Sequence, residues 1–77
     1  MGAVTPLGAV VDERRITVGP RDLWCVLYRD LAELTLAVYV DRDGVWSDRW
    51  VALLRVDGAQ ITERELERVT SWARGVR

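Results

Sequence analysis

The C-terminal segment, residues 61–76, carries the signals of a complete helix and constrains the fold more than any other part of the chain. Thr62 is a good N-cap, and Glu65 follows three positions later, which is the spacing of a capping box. In such a box the Glu65 carboxylate accepts a hydrogen bond from the Thr62 N–H, and the Thr62 hydroxyl accepts one from the Glu65 N–H. Ile61 and Leu66 have the spacing of a hydrophobic staple.

This helix has a single apolar stripe. The residues of the stripe recur every three or four positions: Leu66, Val69, Trp72 or Ala73, and Val76. A helix with one apolar face gains most of its stability by packing against another element, and the apolar residues between positions 9 and 56 are the available partner. We therefore expect the helix to lie on a structure formed by those residues.

The length of 77 residues allows one domain, and a hydrophobic fraction of 49% is too high for a disordered chain. In so short a chain the burial of apolar surface only just offsets the loss of conformational entropy. A second copy of the chain would add buried surface. We expect a flexible N-terminal arm over residues 1–8 and a single small domain over residues 9–77, which functions alone or as a homodimer.

The charges are balanced, with 11 basic and 12 acidic residues and a net charge of −1. This balance argues against a protein that coats nucleic acid, which normally shows a basic excess. Every basic residue is arginine, and the chain lacks Lys, His, Asn and Phe. This bias indicates a GC-rich genome, such as that of an actinobacterium or one of its phages.

Cysteine and hydropathy patterns indicate the compartment. Cys25 is the sole cysteine, whereas small secreted domains normally carry several in disulfides. Residues 1–11 lack the basic region of a signal peptide, and their apolar run is broken by Pro6 and Gly8. No apolar run approaches the roughly 20 residues that a membrane-spanning helix needs. We expect a cytoplasmic protein that does not enter membranes.

Three segments alternate apolar and polar residues, as half-buried β-strands do. Residues 9–18 alternate weakly around charged positions, which is typical of an edge strand. Residues 34–41 are the clearest strand, and Asp43-Gly44 predicts a turn after it. Residues 49–56 form the return strand of this hairpin across a loop at 42–48. Its core face consists of Trp50, Ala52, Leu54 and Val56, and its outer face of Arg49, Val51, Leu53 and Arg55.

Residues 20–33 fit two structures. As a helix, the segment places Pro20 at the first helical position and forms a stripe from Leu23, Val26, Leu27, Leu31 and Leu34. As a strand, residues 23–28 form a continuous apolar run rich in residues that favour sheets. Such a strand would need a cover on each of its two faces, and the C-terminal helix can cover only one. We therefore favour a helix for residues 20–33.

The expected fold class is therefore α+β. A small antiparallel sheet is built on the 34–56 hairpin, and the C-terminal amphipathic helix packs on one face of it. The favoured element order is βαββα. The alternative is a ββββα meander plus helix, in which residues 20–33 contain a strand.

The chain lacks the residues of common catalytic and metal sites. Without histidine, and with a lone Cys25, it cannot form a Cys/His or Ser/His/Asp site or a Cys/His zinc site. Asp41 and Asp43 precede Gly44, but the further ligands of a calcium loop are absent at the required spacing. We expect no enzyme activity, no cofactor and no metal.

Two regions are candidates for an interaction surface. Trp46 falls in the hairpin loop between Arg42 and Arg49, and Trp and Arg are enriched in interface hot spots. If Trp46 is exposed there, Trp46→Ala should leave the melting temperature nearly unchanged; we favour the other interpretation, in which Trp46 folds back over the open edge of a small core. The second region is the outer face at Val51 and Leu53, because a cover on one side leaves the other face apolar and exposed.

The expected function is that of a small protein–protein interaction domain, which binds another protein or a second copy of itself. The alternative is a small nucleic-acid-associated regulator, in which a dimer gathers arginines from two chains onto one surface. Nucleic acid is the less favoured partner because acidic residues accompany the arginines on the C-terminal helix. The salt dependence of binding distinguishes the two functions, since affinity that rests on phosphate contacts falls steeply as the salt concentration increases.

Overall fold

A computed structural model describes residues 8–31, 33–42, 45–47 and 51–75. Within these ranges an antiparallel sheet is followed by a C-terminal helix, so the predicted α+β class is confirmed. The elements are β1 (Ala9–Val18), β2 (Arg21–Asp30), β3 (Glu33–Arg42), β4 (Val45–Trp46), β5 (Ala52–Arg55) and α1 (Glu63–Gly75).

The first three strands form a meander in which β2 lies between β1 and β3. Short turns join them, since Val18 pairs with Arg21 and Asp30 pairs with Glu33. Gly19 opens the first turn at φ 60°, a conformation that glycine adopts without steric cost. The strand predicted over residues 9–18 is confirmed at the edge of the sheet.

The helix that we favoured within residues 20–33 is wrong, and the meander alternative describes the fold. The segment is strand β2, and it is buried on both faces. Leu23, Cys25 and Leu27 lie on one face and are at most 1% exposed; Val26 and Tyr28 lie on the other and are at most 2% exposed. The sequence argument against a strand failed because it assumed that only the helix could bury a face of the sheet.

The free edge of β3 pairs with two short strands rather than one long one. β4 pairs at Asp41↔Trp46, and β5 pairs between Thr35↔Arg55 and Val38↔Ala52. The predicted loop at 42–48 therefore contains strand β4, because Val45 and Trp46 belong to residue types that favour sheets. Residues 49 and 50, at the start of the predicted return strand, lie outside the described residues.

Helix α1 covers one face of the sheet, which we call the inner face. The core between them consists of Leu23, Cys25, Leu27, Leu36, Val38, Val40, Ile61, Val69 and Ala73. Ile61 is buried and Leu66 packs against the same core, as the predicted staple requires. The predicted helix is thus confirmed in position and in its apolar stripe, apart from Val76, which lies outside the described residues.

The N-terminus of α1 has a variant of the predicted capping box. The Thr62 N–H donates to Glu65 Oε1 at 3.1 Å, as predicted. The Thr62 hydroxyl also donates to Glu65 Oε1, at 2.6 Å, whereas a standard box has this hydroxyl accepting from the Glu65 N–H. One carboxylate oxygen of Glu65 thereby accepts hydrogen bonds from both the N–H and the hydroxyl of Thr62, which closes the first turn.

Candidate functional site

The face of the sheet opposite α1, which we call the outer face, carries a second buried cluster. Because side chains alternate along a strand, its members come from every second position of β2 and β3: Val26, Tyr28, Ala37 and Tyr39, with Trp24 and Trp46 packed against them. The four central residues are at most 2% exposed. This face is therefore a second core, and its partly exposed rim is the candidate site.

The aromatic rings of the cluster are in direct contact. The ring centroid of Trp24 lies 5.4 Å from that of Tyr39 and 5.9 Å from that of Trp46, with tilted planes in both pairs. Such tilted pairs have the favoured geometry of interacting π-systems. The hydroxyls of Tyr28 and Tyr39 are hydrogen-bonded at 3.1 Å. The rings are thus fixed relative to one another.

Arg15 of β1 lies over the edge of this aromatic cluster. The strand register pairs Arg15 with Trp24. Its Cζ atom is 6.0 Å from the Trp24 ring centroid and 5.7 Å from the Trp46 ring centroid, which is within the range of cation–π attraction. One guanidinium therefore contacts both indoles while the residue stays exposed.

Two polar atoms near Trp46 are buried without a hydrogen-bond partner among the described residues: Trp24 Nε1 and Asp41 Oδ1. Leaving such an atom unsatisfied costs about 1–3 kcal/mol. Asp41 is the strand partner of Trp46, and Trp24 contacts Trp46 by its ring. Among the described residues, a donor and an acceptor without partners thus lie beside the same tryptophan.

A shallow cleft of about 390 Å³ opens at this end of the outer face. It is lined by Arg15, Ile16, Thr17, Asp22, Asp41 and Trp46. The Thr17 hydroxyl donates to Asp22 Oδ1 at 2.8 Å, which fixes one wall. The cleft therefore combines an indole, a guanidinium and two carboxylates.

Burial makes the two reactive groups of the cores less reactive. Desolvation and the hydrogen bond with Tyr28 raise the pKa of the Tyr39 hydroxyl far above its usual range. Desolvation on the inner face raises the pKa of the Cys25 thiol to about 11. Both groups are neutral at physiological pH, and a neutral thiol is a poor nucleophile.

The predicted surface residues do not all lie together. Trp46 is half-buried against Trp24, so it folds back over the core edge, as in the interpretation that we favoured, and does not take the exposed loop position. Arg42 ends strand β3, but its side chain, like all of Arg49, lies outside the described part of the structure. Leu53 lies on the outer face opposite Ala37 and is 40% exposed, as predicted.

Val51 does not lie on the outer face as predicted. It packs against the inner core, and so does its neighbour Ala52. The chain bends at Val51, just before β5 begins, so strand alternation does not extend back to it. The Val51 N–H donates to the Val38 carbonyl oxygen at 2.7 Å, which holds the bend against β3.

Three residues of the site were not predicted: Arg15, Trp24 and Asp41. Their proximity depends on β2 being a strand, and the favoured helix separated them. The signal was present in the strand alternative, which places Trp24, Val26 and Tyr28 on one face.

In the described ranges there is no group of three or more His, Cys, Asp or Glu side chains that could hold a metal ion. Among the same residues, no helix is long and apolar enough to cross a membrane. Comparisons with protein-family models, curated proteins and solved structures find no match to this chain.

Proposed function

We propose that this chain is a small non-enzymatic protein–protein interaction domain that binds through the outer-face rim, defined as Arg15, Asp41, Trp46 and Leu53. The partner is another protein or a second copy of the chain. The observation that carries the proposal is the Arg15 guanidinium over the paired Trp24 and Trp46 rings.

Tryptophan and arginine are the residues most enriched among interface hot spots. Here they are held in place before any partner arrives. Trp46 rests on Trp24, and Arg15 lies against both rings. Since binding loses less side-chain entropy when the contact residues are already ordered, this arrangement favours association.

Leu53 extends the rim along the sheet. Its strand partner Ala37 is four residues from Asp41 on β3, so the apolar patch lies roughly 13 Å from the Trp46 position at 3.3 Å per residue. The two positions are close enough to contact one partner.

The test is a pull-down from lysate of the source cell with three variants. Leu53→Asp introduces a charge into the rim, and Arg15→Ala removes the stacked guanidinium. Glu67→Ala, on the exposed surface of α1, is the matched control. We expect the rim variants to lose a partner that the wild type and the control retain, with unchanged circular dichroism for all three.

Retention of every bound protein by both rim variants would contradict the proposal. A salt titration of the complex completes the test. Association through the Trp46 rim should change little with salt, whereas a steep loss would indicate phosphate contacts and support the nucleic-acid alternative.

A further inference from the structure

The two tyrosines of the outer face lie flat on the sheet. Tyr28 pairs with Thr35, four positions along β3 from Tyr39, so the two backbones are roughly 13 Å apart along the strands at 3.3 Å per residue. Their hydroxyl oxygens are only 3.1 Å apart. Each side chain must therefore extend along the sheet toward the other, over the Val26 and Ala37 pair that lies between them.

A ring that lies flat on an open sheet turns one of its faces to solvent. Tyr28 is nevertheless 2% exposed and Tyr39 is 0% exposed, so a further layer must cover them. Among the described residues, the hydrophobic side chains that pack against this cluster from its margin are Trp24 and Trp46. Both lie at the Tyr39 end, since Trp24 pairs with Tyr39 and Trp46 with Asp41. The described ranges therefore leave the Tyr28 end without such a cover.

The N-terminal segment, residues 1–7, lies outside the described residues and joins the sheet at this uncovered end. Gly8 lies against the backbone of Arg29, the chain neighbour of Tyr28. A Cβ atom at position 8 would be 2.4 Å from the Arg29 carbonyl oxygen, so only glycine permits this approach. The contact fixes the point from which residues 1–7 extend, next to Tyr28.

Residues 1–7 have the chemistry and the length of a cover for the tyrosine pair. None of their side chains is charged, and Val4, Pro6 and Leu7 are apolar. Pro6 favours an extended backbone in itself and in the residue before it. Seven extended residues span roughly 23 Å at 3.3 Å per residue, which exceeds the distance between the two tyrosine backbones. The tether also gives this segment an effective concentration on the order of millimolar at the outer face.

We propose that residues 1–7 pack as an extended strap over the tyrosine pair and complete the second core, with Leu7 on the Tyr28 ring. The occupant of the centre of the outer face is thus the chain's own N-terminal segment. The rim stays available to other molecules, because Arg15 and Leu53 are exposed at the margin of the face. The strap closes the core whether or not the rim binds a partner, so it does not depend on the proposed function.

Nuclear Overhauser effects in the full, unaltered chain test the strap directly. We expect contacts between the Leu7 methyl groups and the Tyr28 ring. In a mixture of isotope-labelled and unlabelled chains, these contacts should arise within one chain. Their absence would overturn the proposal, as would contacts to the tyrosine rings from Trp50 alone or only between two chains, which would assign the cover to residues 48–50 or to a second copy.

Melting temperature gives an independent readout. Leu7→Asp should lower it by about 5 °C or more, because a charge then lies against the buried rings. Leu31→Asp is the matched control, since Leu31 is 94% exposed in a turn and should tolerate the charge. Equal melting temperatures for the two variants would contradict the strap. Neither measurement involves a partner, so loss of the proposed rim interaction would leave both results unchanged.

Discussion

The Asp12 carboxylate accepts a hydrogen bond from the backbone N–H of Ile61 at 2.8 Å, across 49 residues of sequence. A bulge in β1 between Val10 and Asp12 shifts the strand register at this point. The bond therefore ties the edge strand of the sheet to the segment that leads into α1.

We expect Asp12→Ala to lower the melting temperature, because it leaves the partly buried Ile61 N–H without its acceptor. Glu13→Ala is the matched control, since Glu13 is the exposed neighbour on the same strand and should change little. Thermal unfolding followed by circular dichroism measures both. Equal melting temperatures for the two variants would show that the Asp12–Ile61 bond contributes no stability.

Stability should fall at acid pH for a defined reason. The Ile61 N–H lowers the pKa of Asp12, and the hydroxyl and N–H of Thr62 lower the pKa of Glu65. Because these values lie below those of the unfolded chain, the contribution is complete above a pH of roughly 5 and is lost as pH falls through the lowered values. Melting temperature against pH should show this decline, and Asp12→Asn with Glu65→Gln should flatten it.

Cys25 should not react with thiol reagents while the protein is folded. It is fully buried, and its pKa is raised to about 11. We expect no labelling by a chromogenic disulfide reagent near neutral pH, and full labelling after addition of denaturant. Rapid labelling without denaturant would mean that the inner core opens readily, which the packing around Cys25 contradicts.

Trp46 should contribute to stability as well as to binding. Its ring pair with Trp24 predicts a loss of about 0.5–1.5 kcal/mol in Trp46→Ala, beyond the loss of buried area. This replaces the expectation of a nearly unchanged melting temperature. Urea unfolding of Trp24→Ala, Trp46→Ala and the double variant should give a coupling energy of that size. Additive losses would mean that the two rings do not interact.

The C-terminal helix was predictable because its signals are local. The cap at Thr62, the staple and the stripe of α1 all lie within a few turns of one another. The edge strand was predictable for the same reason, since alternation over residues 9–18 needs no distant partner. The structure differs from this prediction only in details, such as the direction of the Thr62 hydroxyl bond.

Strand β2 could not be predicted from the sequence because its apolar residues fit both the helical repeat of 3.6 residues and the strand repeat of two. Leu23 and Leu27 lie on one face of either a helix or a strand. The strand is stabilised over the helix in this segment by Tyr39, Trp46 and Arg15. These residues come from three other strands and cover the outer face of β2. Leu31, assigned to the helical stripe, lies instead in the turn and is exposed.

The site was only partly predictable for a related reason. Trp46 and Leu53 were found from residue type and alternation, but Arg15 and Asp41 join them through strand register. Register depends on the pairing of distant segments, which one sequence specifies weakly when both faces of a strand are apolar.

Site-resolved photo-cross-linking in the source cell tests the central claim most directly. A photoreactive residue at position 53 reports on the outer-face rim, and one at position 67 reports on the exposed surface of α1. We predict that position 53 forms a discrete cross-link to a protein, either a second copy or a different chain, and that position 67 does not. The same cross-links from both positions, or none from position 53, would contradict a binding role for the outer face.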